Sequence, residues 1–204
     1  WSSDVCSSDL CMEFVLDYPL EGLNFTCSSD AKNKFITLFN VNESVSSGAC
    51  KMGDTVTFYL MGDKERKIDL GKVNLSAISN VASGVSPPRL TLLDIAGGIT
   101  GQAAQALNKN DDTVKAAMRL AKIIQAIGLK DARIDSAADI QPVYMDAENR
   151  TGLEGLAKSV TLADFKNPDE AAFSQLFSPW LNLQQVSDDD AFKVVAKLAN
   201  ISAA

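Results

Sequence analysis

The sequence predicts an α+β fold: a small antiparallel β-sandwich or open barrel module, followed by a mainly α-helical region. Three observations point there. Between residues 12 and 88, short runs rich in β-branched and aromatic residues alternate with polar turns, and no helix-length segment separates them. After Pro87-Pro88 the apolar spacing changes to steps of three and four. Two cysteines, Cys27 and Cys50, frame the middle of the first part.

The elements follow in order. Residues 12–16 form a short apolar run, an edge-strand candidate that Tyr18-Pro19 breaks. In residues 20–27, Leu23, Phe25 and Cys27 fall on one side of a strand, with Asn24 and Thr26 on the other. Residues 28–34 read as a polar turn, 35–41 as a strand, and 42–48 as a Ser-rich loop. Gly53 supplies the backbone freedom for a tight turn at 51–54. The clearest strand follows at 55–60, with Val56, Phe58 and Leu60 on one face. A charged connection at 62–67 leads to a last short strand at 68–73. Gly97-Gly98 and Gly101 mark a flexible connection; they match neither phosphate-binding glycine pattern.

The most strongly periodic helix runs over 113–127. Asn110-Asp111-Asp112 caps its start, and Gly128 ends it as a C-cap. Val114, Ala117, Met118, Ala121 and Ile124 form its apolar stripe, with Lys115, Arg119 and Lys122 on the other side. Further helices are expected at 169–177 and, capped by Ser187, at 188–200, where three aspartates sit in the first turn. The organisation reads as a leader (1–11), a disulfide-linked β-rich module (12–88), a helical region (89–165) and a helical segment (166–204) whose chain is expected to continue past the given end.

Composition narrows the function. Nineteen basic against twenty-six acidic side chains give a net charge of −7, which argues against nucleic acid as a partner. No apolar run reaches the length of a membrane span. Histidine is absent, which removes the Ser-His-Asp and Cys-His triads and most zinc and iron sites. The first ten residues, WSSDVCSSDL, resemble translated sequencing-adapter read-through, so the true N-terminus, with any signal peptide, is expected to be missing; the alternative is a disordered natural leader. A Cys27–Cys50 disulfide would close a 23-residue loop, contribute about 3 kcal/mol and place the protein in an oxidising compartment. The alternative is two buried thiols in a cytosolic core.

Asp131, Asp135 and Asp139 are the candidate cation ligands. On a helix they would line one face, read either as a solvated acidic face or as an oxygen-rich site for calcium; no other cofactor is expected. Asp63, Glu65 and Asp69, interleaved with lysine and arginine, read as an exposed turn. Asn24, Asn42, Asn74, Asn149 and Asn200 match the short glycan-acceptor pattern. Trp180, after Pro179, is the aromatic expected to be partly exposed and to contact a partner.

The stretches LEGLNFTC (20–27), GDTVTFYLMG (53–62) after Cys50, DLGKV (69–73), RLTLLDI (89–95) and MRLAKIIQAIGL (118–129) carry a resemblance. Over residues 18–140 the chain resembles a module of Gram-negative surface and secreted lipoproteins, and among them the FilF pilus-assembly family of Acinetobacter-like bacteria. It departs from that pattern at Gly128-Leu129-Lys130-Asp131, where the family has an Asp-Asp-Gly turn. The resemblance implies a non-enzymatic cell-envelope protein, structural or adhesive and associated with pili. It would lie in the periplasm, on the outer membrane surface or secreted, with envelope or pilus proteins or a surface ligand as partners and a lipid anchor on the missing N-terminus. Two other readings stand beside it. One is a periplasmic polysaccharide-binding protein or carboxylate-dependent hydrolase using Asp131 and Asp135. The other is a helical scaffolding domain that docks a partner through residues 169–200.

Overall fold

In the computed structural model, residues 11–78 and 87–203 are described. The adapter-like stretch 1–10 lies outside them. The chain runs β1 (Cys11–Leu16), β2 (Leu20–Glu21), β3 (Asn24–Cys27), β4 (Asp30–Ile36), β5 (Leu38–Asn40), β6 (Val45–Lys51), β7 (Thr55–Met61), β8 (Lys67–Asn74) and β9 (Arg89–Leu90). Then come α1 (Leu92–Thr100), α2 (Asp112–Lys130), β10 (Val143–Tyr144), α3 (Ala147–Glu154), α4 (Leu162–Lys166), α5 (Glu170–Leu176) and α6 (Asp188–Ala203). A β-rich part followed by a helical part makes the fold α+β.

The β part combines antiparallel and parallel pairing, and its sheets do not close into a barrel. One is antiparallel throughout, in the order β4-β3-β7-β8. The second has the order β5-β6-β1-β9, with β9 parallel to β1. A third pair joins β10 to β2 in parallel. The all-antiparallel expectation is thereby corrected. Both parallel partners are two-residue strands from the later part of the chain, too short to show a period of two.

The two four-stranded sheets meet through aromatic rings. Phe14 of β1 stands edge-on to Phe25 of β3 at 5.1 Å and to Phe58 of β7 at 5.8 Å between centroids. Such contacts add about 0.5–1.5 kcal/mol each beyond area burial. They also explain why β6, expected as a Ser-rich loop, is a strand. A Cβ on Gly48 would sit 2.6 Å from Phe14 Cζ and 2.7 Å from Phe25 Cζ, so small residues are what lets this strand lie on the rings. Residues 30–34, expected as a turn, belong to edge strand β4, and their polar character follows from exposure on both faces. At Thr37 the chain passes from one sheet to the other. Its buried hydroxyl donates to Leu20 O at 2.8 Å and accepts from Leu23 N–H at 3.1 Å, pinning β2 to the corner.

The glycine-rich stretch 97–101 is not a flexible connection. Residues 97–100 form the second half of α1 and Gly101 is its left-handed C-cap, while the helix start is closed by a reciprocal Thr91/Asp94 capping box. Helix α1 lies directly on β8: a Cβ on Gly71 would fall 2.2 Å from Gly98 O, and one on Gly98 would fall 2.6 Å from Lys72 O. These glycines serve backbone-to-backbone approach. Helix α2 starts at its expected cap, Asp111, which accepts from the Thr113 and Val114 N–H groups. It passes through Gly128 and ends at Lys130, which corrects the expected stop. Gly128 is buried, and a Cβ there would touch Ile134 and Val143 within 3.1–3.2 Å. The ending is instead a Schellman motif around Ala132, with Arg133 N–H donating to Gly128 O at 2.8 Å and Ala132 N–H to Leu129 O at 3.2 Å. One hydrophobic cluster contains residues of both the sheets and the helices.

Candidate functional site

Cys27 on β3 and Cys50 on β6 are joined by a disulfide, with their Cα atoms 5.6 Å apart. The bond therefore links the two sheets, since β3 and β6 belong to different ones. Both cysteines are buried. Beside them the Asp54 carboxylate accepts from Ser29 Oγ at 2.7 Å, Lys51 N–H at 3.0 Å, Ser28 Oγ at 3.1 Å and Ser29 N–H at 3.2 Å. Cys27, Cys50 and Asp54 form the group of three potential metal ligands within 4.8 Å of one another among the described residues. In the oxidised protein the two sulfurs bond each other, and Asp54 is committed to its turn. A thiolate pair for a soft cation would exist only after reduction.

Asp131, Asp135 and Asp139 do not share a helical face, because the chain beyond Lys130 is non-helical up to β10. Asp131 instead caps α2, pairing with Lys130 Nζ at 2.6 Å and accepting from Asn149 Nδ2 at 2.7 Å. Asp135 and Asp139 are exposed, and the three carboxylates are not gathered at ligating distance. The Asp139 contribution is made by its backbone: its carbonyl accepts from Gln125 Nε2 at 2.5 Å. Gln125 in turn accepts from the buried Tyr18 hydroxyl, whose pKa burial pushes well above the ordinary tyrosine range, with Asp139 adding to the rise.

Trp180 is corrected from partly exposed to buried, at 9% exposure. Its indole N–H donates to Asn149 Oδ1 at 3.2 Å, and its ring fills the space where a Cβ on Gly152 would sit. Asn24 and Asn149 are likewise buried, so neither is open to a glycan. Both serve the junction between α3 and the β module. Arg150 on α3 donates from Nη1 to Asn24 Oδ1 at 3.0 Å and to Met61 O at 2.8 Å, and from Nη2 to Gly22 O at 2.9 Å. Four residues on, the Glu154 carboxylate accepts the N–H groups of Lys64, Glu65 and Arg66 at 3.1–3.3 Å. Desolvation pushes its pKa up, but these backbone donors outweigh it and hold Glu154 below the usual carboxylate range. The charged 62–67 connection is thus wrapped around a half-buried carboxylate.

Two open cavities flank this framework. A cleft of about 380 Å³ lies along α2 and is lined by Lys109, Lys115, Arg119, Lys122 and Lys166 with Glu170 and Asp188. Arg119 and Lys122, expected on the solvent side, are buried. Arg119 Nε meets Glu170 at 2.9 Å and its guanidinium covers the Phe173 ring at 4.5 Å, while Lys122 Nζ meets Glu170 at 3.0 Å and Asp188 at 2.6 Å. Helical spacing put both cations opposite the stripe but carried no sign of acids from α5 and α6. A second groove of about 560 Å³ runs past Asp17, Phe39, Val41, Arg89 and Leu198. Among the described residues no helix is long and apolar enough to cross a membrane. No protein-family model, no curated protein and no solved structure matches the chain.

Proposed function

We propose that this is an exported, non-enzymatic module of a bacterial cell envelope, with a structural or adhesive role and an association with pili. The observation that carries the reading is the buried Cys27–Cys50 bridge between the two sheets. Such a bond forms and persists in an oxidising compartment. Closing a 23-residue loop, it contributes about 3 kcal/mol, a large share of the roughly 5–15 kcal/mol that holds a domain together. The acidic balance of −7 suits a protein that stays dispersed at a surface. The pilus association follows the resemblance over residues 18–140.

The test is production of the full chain with and without an export signal, with thiols alkylated before lysis. The reading expects folded protein with Cys27 and Cys50 protected when the chain is exported, and thiol-accessible, protease-sensitive chain when it is kept in a reducing cytosol. Equal protease resistance in both compartments with both thiols free would overturn it.

A further inference from the structure

The second groove is built where the segment between β1 and β2, the β5–β6 turn, β9, the 140–142 segment and α6 converge. Pro19, Phe39, Val41, Val45, Pro142 and Leu198 give it apolar walls. Val41 is 79% exposed, an aliphatic side chain left in water at the edge of a cavity. The volume of about 560 Å³ falls within the roughly 300–1,000 Å³ typical of small-molecule sites.

The polar part of the groove is an ion pair of unequal burial. Arg89 Nη2 lies 2.7 Å from Asp17 Oδ1; the Asp17 side chain is 2% exposed and that of Arg89 is 41% exposed. Burial pushes the Asp17 carboxyl above its usual range, and the Arg89 guanidinium beside it works against that rise. Moving Arg89 away would leave a buried carboxylate uncompensated, which fixes the guanidinium at the groove. A guanidinium carries five N–H donors, and Asp17 is its one charged partner among the described residues. Lys197 adds a second cation that lines the groove. Arg89 and Lys197 line the groove with Asp17 as the one acid among its lining residues, which favours a single negative charge on the occupant, and the walls favour an aliphatic body. An extended peptide is poorly served. The Phe39 N–H of edge strand β5, which would start a main-chain ladder, is already taken by Glu21 Oε1 at 3.2 Å.

We propose that this groove binds an aliphatic carboxylic acid, its chain along the apolar walls and its carboxylate on Arg89 and Lys197. The assignment goes beyond the envelope role and stands or falls separately from it. The test is calorimetric titration of the full oxidised chain with decanoate below its micellar concentration. Saturable one-to-one binding is expected, with 1-decanol at least tenfold weaker. Arg89→Gln is expected to weaken decanoate at least tenfold. Val41→Asp, which alters an exposed position outside the core, is expected to do the same, and it keeps the test sound if the arginine variant misfolds. Absence of saturable binding overturns the proposal. So does equal affinity for decanol, unchanged affinity in a folded Val41→Asp protein, or equally tight binding of an acetylated apolar tetrapeptide with a free carboxylate.

Discussion

At the scale of single residues, two positions show backbone and packing limits that side-chain chemistry alone does not reveal. Ala132 holds φ at +56° as the left-handed residue of the Schellman motif that ends α2. An L side chain there costs about 1–2 kcal/mol, partly offset by the unfolded-state entropy that glycine adds. Ala132→Gly should therefore raise stability by about 0.5–1 kcal/mol, read as a higher urea midpoint at unchanged slope. Gly48→Ala should act the other way. The new methyl would meet the Phe14 and Phe25 rings inside 3 Å, an overpacking that costs about 1–3 kcal/mol, measured on the same urea curve. The sequence offered Gly128 as the helix stop because glycine dominates that position statistically. It could not show that Gly128 is spent on contact with Ile134 and Val143, leaving the turn to an alanine.

At the scale of elements, stability turns on the way α3 and α5 hold the parts before them. Glu154 organises the 62–67 connection through three backbone N–H groups, and its folded pKa lies below the unfolded value of 4.5. A depressed carboxylate gives stability that is present above the unfolded pKa and lost as pH falls through the folded one. Glu154→Gln should thus remove part of the fall in melting temperature below about pH 4.5, while a thermal series near neutral pH keeps its cooperative shape. Glu170 is the shared acceptor of the buried Arg119 and Lys122. Glu170→Gln should cost about 1–2 kcal/mol, less than a fully buried pair because Glu170 is 45% exposed. Thermal unfolding of the variant checks the magnitude. Local signals placed the elements with strong periods or caps: β7, α2 from Asp111, α5 from Asp169 and α6 from Ser187. They failed where long-range partners decide. Asp131, Asp135 and Asp139 gave a helical spacing of four, yet no helix forms there, because the Schellman turn redirects the chain toward β10.

At the scale of the whole molecule, the disulfide is the long-range contact that was legible in the sequence. Two cysteines 23 residues apart, each at the end or start of a strand-like stretch, pointed to it, with two buried thiols as the alternative. What remained hidden was that it joins two different sheets, because that requires knowing that the chain changes sheet at Thr37. The consequence is mechanical. With the sheets facing each other through Phe14, Phe25 and Phe58, the bridge fixes their separation at one edge of the aromatic layer. The account of an exported module rests on that bond more than on any other feature. The direct measurement is a peptide map of the exported full chain, alkylated before and after reduction, paired with urea unfolding of both forms. The account predicts a Cys27–Cys50 cross-linked peptide in the unreduced digest and a loss of about 3 kcal/mol on reduction. Freely alkylated Cys27 and Cys50 in the exported protein, with the same urea midpoint before and after reductant, would contradict it.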